Sequence, residues 1–203
     1  SKAYDRMEWR FLREMMEKLG FHERWIELMM KCVSTVVYRI KVNGELTDVV
    51  VPERGLRQGD PLSPYLFLIC AEGFSALLRK AEEEGRLKGI KICPSAPSVS
   101  HLLFADDSLI LFRADGGDAQ QLQGILNLYE EFSGQVINKD KSAIMFSANT
   151  ASEKKEEVLQ VLGIPKETMN ERYLGLPVYI GRSKKNCFSY LKERIWQRIQ
   201  GWK

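Results

Sequence analysis

Cysteine and histidine are scarce in this chain, and neither is grouped. The four cysteines (Cys32, Cys70, Cys93, Cys187) form no CxxC pair, and His22 and His101 are the two histidines. This argues against a zinc site or a disulfide framework and leaves a reducing compartment as the default expectation. Long apolar runs are missing as well. The longest, around Tyr65 to Cys70, is far too short to span a bilayer, and no signal peptide opens the chain, so no membrane partner is expected. Neither sign of charge dominates: 30 Lys and Arg against 27 Asp and Glu leave a net charge of +3, a mild basicity compatible with nucleic acid. What is present is an ordinary globular composition, 203 residues with 44% hydrophobic and 28% charged, long enough for one large domain or slightly more. Ser-Lys-Ala-Tyr-Asp at the start has neither an initiator methionine nor helix-start logic, and Gln200 to Lys203 stops abruptly; the chain reads as an excerpt of something larger.

Helices and strands alternate with no repeat and no low-complexity segment. Phe11, Leu12, Met15, Met16 and Leu19 follow helical spacing, with Gly20 as the C-terminal cap, and a second helix is expected from His22 to about Val33. Val36, Tyr38, Ile40 and Val42 alternate with Val37, Arg39 and Lys41, the period of a half-exposed strand. Asn43-Gly44 signals a type I′ turn, so Thr35 to Val42 and Leu46 to Val51 are expected to pair as a hairpin. Pro61 to Glu84 reads as one long helix with a solvated charged end, Asp118 to Phe132 and Glu153 to Leu162 as helices, and Ser142 to Phe146 as a strand. Tyr173 to Tyr179 reads as extended, and a final amphipathic helix starts near Ser183 with Leu191, Ile195 and Ile199 on one face. The whole fits an α+β domain, an antiparallel sheet backed by helices.

Residues 104 to 107 read Phe-Ala-Asp-Asp between two apolar, strand-like stretches, His101 to Phe104 and Ser108 to Phe112. Two adjacent carboxylates at the tip of a buried hairpin repel each other and are costly to desolvate, and a divalent cation removes that cost. Hard oxygen ligands suit magnesium, which takes one or two carboxylates and completes its shell with water and phosphate. Asp106 and Asp107 are therefore candidate metal ligands for phosphoryl transfer. The plain alternative is an Asp-Asp turn between two core strands.

A second block, GLRQGDPLSP (residues 55 to 64), places two glycines around a cation and an amide just before the long helix. Backbone freedom at Gly55 and Gly59 allows close approach to a ligand, and a helix N-terminus presents amides to an anion. Arg57 can pair with phosphate, and Gln58 can touch a base or sugar edge. Such a Gly- and Pro-rich strand-to-helix loop can equally be structural.

SKAYDRMEW (1 to 9), GLRQGDPLSPYLF (55 to 67), FADD (104 to 107), GQVINKDKS (134 to 142) and YLGLP (173 to 177), in that order, resemble the reverse transcriptase of non-LTR (LINE-type) retrotransposons, plant elements above all. The resemblance implies a right-hand polymerase: residues 1–180 as most of the palm with part of the fingers, and 181–203 as the start of a truncated thumb-like helix. It implies Asp106 and Asp107 as catalytic carboxylates holding two Mg2+ ions, with Mn2+ as a substitute, and an RQG loop (Arg57, Gln58, Gly59) lining the nucleotide and template site. Tyr4 would lie under the sugar of the incoming nucleotide and exclude a ribose 2′-hydroxyl, although read alone it is a core aromatic. Lys141 would stand near the triphosphate as proton donor to pyrophosphate, or else be a solvated lysine. Leu174, Gly175 and Leu176 would form the primer grip.

In this family another aspartate, the third catalytic carboxylate, precedes the segment resembling Ser1 to Asp5. It is expected about two positions upstream of Ser1, while Asp5 matches a structural aspartate that could cap the following helix. Trp196 and Trp202 read as core residues left half-packed, and His22 and His101 as surface or satisfied histidines. The implied activity is RNA-directed DNA synthesis by two-metal nucleotidyl transfer. Its partners would be an RNA template, a DNA primer or target DNA, dNTPs and the remaining domains of a parent polyprotein, serving DNA integration in the nucleus or cytoplasm of a eukaryotic cell. Two rivals stay open: a catalytically inactive RNA-binding scaffold of the same fold, and the remnant of a decayed element.

Overall fold

Apolar residues at helical spacing build the frame. The structure is a computed structural model that describes residues 3–165, 167–168, 172–178 and 184–202; the expected starts at Ser1 and Ser183 and the extended end at Tyr179 lie outside these residues. A short turn of helix α1 (Ala3–Arg6) precedes α2 (Trp9–Lys18) and α3 (Glu23–Ser34). α2 buries Leu12 and Met16 and stops at Gly20, whose φ of 81° lets the Phe21 N–H return to the Met16 carbonyl at 3.1 Å. The α3 helix begins where the His22 ring accepts from the Arg24 N–H, so that histidine is satisfied as a cap.

Helix α4 (Ser63–Glu83) is the spine. Its stripe of Leu66, Cys70, Phe74 and Leu78 recurs every fourth residue and is buried along its whole length. The first half packs with α2 and α3 around Met7, Leu12, Met16, Ile26 and Phe67. The second half packs with α5 (Gly116–Ser133) and α6 (Ser152–Leu162) around Leu122, Ile125, Val158 and Leu162. Tyr129 of α5 joins the two halves: its ring meets Phe11 edge-on at 5.9 Å and Phe74 at 4.9 Å. Truncating a side chain as enclosed as Leu78, which has no exposed surface, costs about 2–5 kcal/mol in comparable cores.

The strands are smaller than the sequence suggests. Among the described residues they form three separate two-stranded antiparallel hairpins: β1 (Lys41–Val42) with β2 (Glu45–Leu46), β3 (His101–Phe104) with β4 (Asp107–Ile110), and β5 (Arg172–Tyr173) with β6 (Leu176–Pro177). The expected single antiparallel sheet is replaced by helices that carry small hairpins. Asn43-Gly44 makes the expected turn, with positive φ at both residues, and Tyr38 bridges Val50 further down. Neither face of that hairpin is covered, however, and Val37, Ile40, Val42 and Leu46 are all exposed, so alternation there did not report a buried side. Ser142 to Phe146 is not a strand. It buries Ile144 and Phe146 against α5 and α6 and makes one isolated parallel bridge, Ile144 to Glu167. Tyr173 to Pro177 turns back on itself at Leu174-Gly175 instead of running extended. The final helix α7 (Lys184–Gln200) leaves Ile195 and Ile199 exposed. Trp196 and Trp202 are 59% and 86% exposed, so they are surface residues and not core. No helix among the described residues is long and apolar enough to cross a membrane.

Candidate active site

The FADD motif forms the predicted hairpin, with its turn one residue earlier than an Asp-Asp turn. Phe104 pairs with Asp107, Leu102 with Leu109 and His101 with Ile110, which leaves Ala105-Asp106 as the two turn residues, Ala105 at a φ of 49°. Leu103, Ile110 and Phe112 pack on the core, whereas Phe104 is 60% exposed and Leu109 and Leu111 are half-buried. Both faces of this hairpin are apolar, so period alone could not choose between them, and one step of register exchanges every side chain. The choice follows from His101. Its Nε2 meets the Ser75 hydroxyl of α4 at 2.8 Å and its Nδ1 the Ser100 hydroxyl at 3.0 Å, which turns that face of β3 toward the helix. Burial, and then the nearby Arg79, lower the histidine's pKa.

Asp106 opens on a cleft of about 550 Å³ lined by Ala3, Tyr4, Gln58, Gly59, Asp60, Pro61, Ser63 and Pro64. Residues from three distant motifs thus share one space. No hydrogen bond or ion pair to the Asp106 side chain exists among the described residues. Asp107 lies on the other side of the turn, next to Tyr173, whose hydroxyl pKa is raised by burial and then by the Asp107 charge. The Asp106 carboxylate is a hard-oxygen donor of the kind a divalent cation takes, and Asp107 is not among the residues that line the cleft. No group of three or more His, Cys, Asp or Glu side chains is arranged to hold a metal among the described residues.

Tyr4 stacks on Phe67 of α4, ring centroids 5.1 Å apart, so its ring is held from behind while it lines the cleft. The loop after it is tied to the first motif at several points. The Leu56 N–H donates to the Tyr4 carbonyl at 2.7 Å, the Gly55 N–H to the Met7 carbonyl at 2.8 Å, and the Trp9 indole N–H to the Gly55 carbonyl at 2.7 Å. A methyl group on Gly55 would stand 2.9 Å from the Asp5 carbonyl oxygen. Gly55 therefore serves close approach to the chain's own backbone rather than to a ligand. At Gly59 nothing lies within 4 Å of a Cβ, and that side faces the cleft.

Several expected contacts are made differently. Asp5 does not cap a helix; α2 has no side-chain cap, and the Asp5 carboxylate accepts from the Gln58 amide at 3.1 Å. The first amides of α4 are not left for an anion: the Ser63 N–H donates to the Asp60 carbonyl at 3.2 Å, Pro64 has none, and the Tyr65 N–H donates to the Leu62 carbonyl at 3.1 Å. Pro61 sits in the turn, and the helix starts two residues later. Arg57 lines a neighbouring cavity of about 230 Å³ with Asp5, Trp9, Val36 and Tyr38, not the cleft of Asp106. Lys141 is exposed on a turn closed by its own N–H to Asn138 and is not among the cleft-lining residues. Leu174 and Gly175 are the turn of the β5–β6 hairpin, with Leu176 just after it; all three are exposed and outside the cleft lining.

Sequence reasoning missed Gln135 and the hydroxyls of Tyr173 and Tyr190. The Gln135 amide donates to the Ala3 carbonyl at 2.7 Å and supports the segment carrying Tyr4 from the side opposite the loop. Gln135 and Tyr173 each carried one signal, a place inside GQVINKDKS and YLGLP, but neither motif shows what the side chain bonds to.

Residues 1–180 match the reverse transcriptase (RNA-dependent DNA polymerase) family. The chain is 57% identical over 67 residues to an uncharacterized mitochondrial protein of Arabidopsis thaliana, covering 33% of this chain and 55% of that one. It is 27% identical over 205 residues to the transposon TX1 uncharacterized 149 kDa protein of Xenopus laevis, covering 100% of this chain and 15% of the relative. Against the retrovirus-related Pol polyprotein from type-1 retrotransposable element R2 of Popillia japonica it is 26% identical over 150 residues, 74% of this chain and 24% of the relative. The chain thus spans about half the length of the first relative and a quarter or less of the other two. With the match running over residues 1–180, the chain belongs to the reverse transcriptase family and resembles its non-LTR retrotransposon members.

Proposed function

We propose that this chain is the core of an RNA-directed DNA polymerase that extends a DNA primer on an RNA template during retrotransposition. One observation carries the reading: Tyr4, Gln58, Gly59 and Asp106, drawn from three separate motifs, line a single cleft. Residues 1–180 are assigned to palm and fingers and 181–203 to the start of a thumb. The polypeptide is assigned to a longer polyprotein acting in the nucleus or cytoplasm of a eukaryotic cell.

Asp106 is the direct metal ligand, and Asp107 adds charge and water-mediated contact. Magnesium bound there, with manganese able to substitute, would lower the pKa of the primer 3′-hydroxyl and neutralise charge developing at the α-phosphorus. The third carboxylate of the family is assigned to residues preceding Ser1, because Asp5 is engaged with Gln58 and lines the neighbouring cavity. Tyr4, backed by Phe67, bounds the space under the sugar and excludes a 2′-hydroxyl. Gln58 and Gly59 hold the nucleotide, Arg57 meets phosphate on the template side of the loop, and Leu174 to Leu176 hold the primer strand by backbone contacts. Lys141 supplies a proton to departing pyrophosphate, which requires the triphosphate to extend toward the Asn138–Lys141 turn.

The test is primer extension on an RNA template with magnesium, comparing this chain with one lengthened by its native upstream residues. The longer chain is expected to extend the primer, to stop on chelation, and to lose about a hundredfold or more in Asp106→Asn, with a smaller loss in Asp107→Asn. Robust extension by the chain from Ser1 onward would make Asp5 the third carboxylate. No extension by the longer chain with a complete thumb would overturn the polymerase reading in favour of an RNA-binding scaffold or a remnant.

A further inference from the structure

Two tyrosine hydroxyls connect elements that the motif reading treats separately. Tyr173, the residue before the Leu174-Gly175 turn, donates to the Leu102 carbonyl of β3 at 3.2 Å. Tyr190, in α7, donates to the Gly175 carbonyl at 2.6 Å. Leu102 stands two residues before Phe104, in the strand whose turn presents Asp106. The small β5–β6 hairpin is thus braced against the carboxylate hairpin on one side and against α7 on the other.

The chemistry of these links suits a strut. A phenol ring has two side-chain torsions, so its hydroxyl is carried with little freedom, and a backbone carbonyl acceptor is fixed by its own strand. Leu174 and Gly175 both take positive φ, 53° and 81°, a tight turn that moves as a unit. α7 carries exposed Ile195, Trp196 and Ile199, so little apolar burial fixes that stretch of the helix, and a directional bond from Tyr190 matters correspondingly more to where it stands.

We infer that Tyr173 and Tyr190 are positioning residues that set the distance between the primer-side turn Leu174-Gly175 and the carboxylate hairpin, transmitting the position of α7 to Asp106 and Asp107. The inference rests on the polymerase reading for its functional consequence, while its mechanical content stands on the two hydrogen bonds. On the nucleotide side of the cleft, Tyr4 rests on Phe67 of α4 and Gln58 and Gly59 lie in the loop before that helix, so neither strut touches them. Loss of a strut therefore falls on alignment of the primer end and leaves dNTP binding alone. A misplacement of about 1 Å can cost on the order of a hundredfold in rate.

Tyr173→Phe and Tyr190→Phe remove only the hydroxyls and keep the rings. In the chain lengthened by its native upstream residues, each is expected to lower kcat for single-nucleotide extension by about tenfold or more, with KM for dNTP within about twofold. Amide hydrogen exchange of Tyr190→Phe, read in the chain as it stands, is expected to quicken in residues 172–178 and also in 101–110. Wild-type kcat in both variants, a rise in KM alone, or faster exchange confined to α7 would each overturn the inference. If the unsubstituted longer chain does not extend a primer, the polymerase reading fails by itself, and the exchange pattern still decides the strut.

Discussion

The side-chain amide of Gln58 donates a hydrogen bond of 3.1 Å to the carboxylate of Asp5, 53 residues earlier in the chain. Only the NH2 group of Gln58 can donate to a carboxylate, so the bond also fixes which way the amide is turned and leaves its oxygen free to accept from a sugar hydroxyl. An acidic residue that looks like a catalytic candidate thereby becomes the support of a binding residue.

Asp5→Ala is expected to raise KM for dNTP by about fivefold, corresponding to the ~1 kcal/mol of one hydrogen bond, without shifting thermal stability by more than a few degrees. Asp5→Asn keeps an acceptor oxygen and should fall between the two. Steady-state extension assays on the lengthened chain measure this. Loss of turnover with unchanged KM would assign Asp5 to the chemistry instead.

Tyr4→Ala is expected to admit ribonucleotides, because removal of the ring opens room for one hydroxyl while Phe67 stays in place behind it. The measurement is the ratio of kcat/KM for a dNTP and its ribonucleotide. A ratio equal to that of the unsubstituted chain would return Tyr4 to a purely packing role.

Gly55→Ala should destabilise the chain by about 2–4 kcal/mol, seen as a lower urea midpoint at constant slope. The backbone there has a φ of 94°, and the added methyl would press on the Asp5 carbonyl at 2.9 Å. Gly59→Ala shares the positive φ but meets no atom, so its stability loss should be the smaller of the two. Equal losses would mean that contact with residue 5 contributes nothing.

His101 makes a pH-dependent contribution. Its native pKa lies below the 6.5 of a free imidazole, chiefly through burial and then through Arg79, with Glu82 and Glu72 opposing. The native chain then binds fewer protons than the unfolded chain between that lowered value and 6.5. This histidine's share of stability is complete above that window and is lost as pH falls through it. In His101→Gln, the difference in urea midpoint between about pH 7 and pH 5 should be smaller than in the unsubstituted chain. An unchanged difference would show that other groups carry the slope.

Local chemistry and motif order made much of this protein legible before any coordinates. Gly20 ends α2, His22 opens α3 and Asn43-Gly44 turns the first hairpin, because each depends on dihedral preferences and hydrogen bonds within a few residues, while the FADD hairpin was legible but not the exact place of its turn. The five motifs in order identified the family, and the long helix after residue 61 followed from the prolines at its start and the charged run at its end.

Tertiary contact decided the rest. Which face of the Asp-Asp hairpin is buried depends on Ser75 reaching His101 from a helix 26 residues away, and no alternation of apolar residues contains that information. Gln58 and Gly55 spend their bonding capacity on the protein itself, at Asp5 and Met7, because these partners become neighbours only when the first motif packs under the loop. The strands came out shorter than their composition suggests, since helices α4, α5 and α6 supply most of the buried surface and leave the hairpins little to cover. Sequence set the inventory of chemistry and its order along the chain. The fold decided which of those groups face the cleft with Asp106 and which hold the cleft in shape.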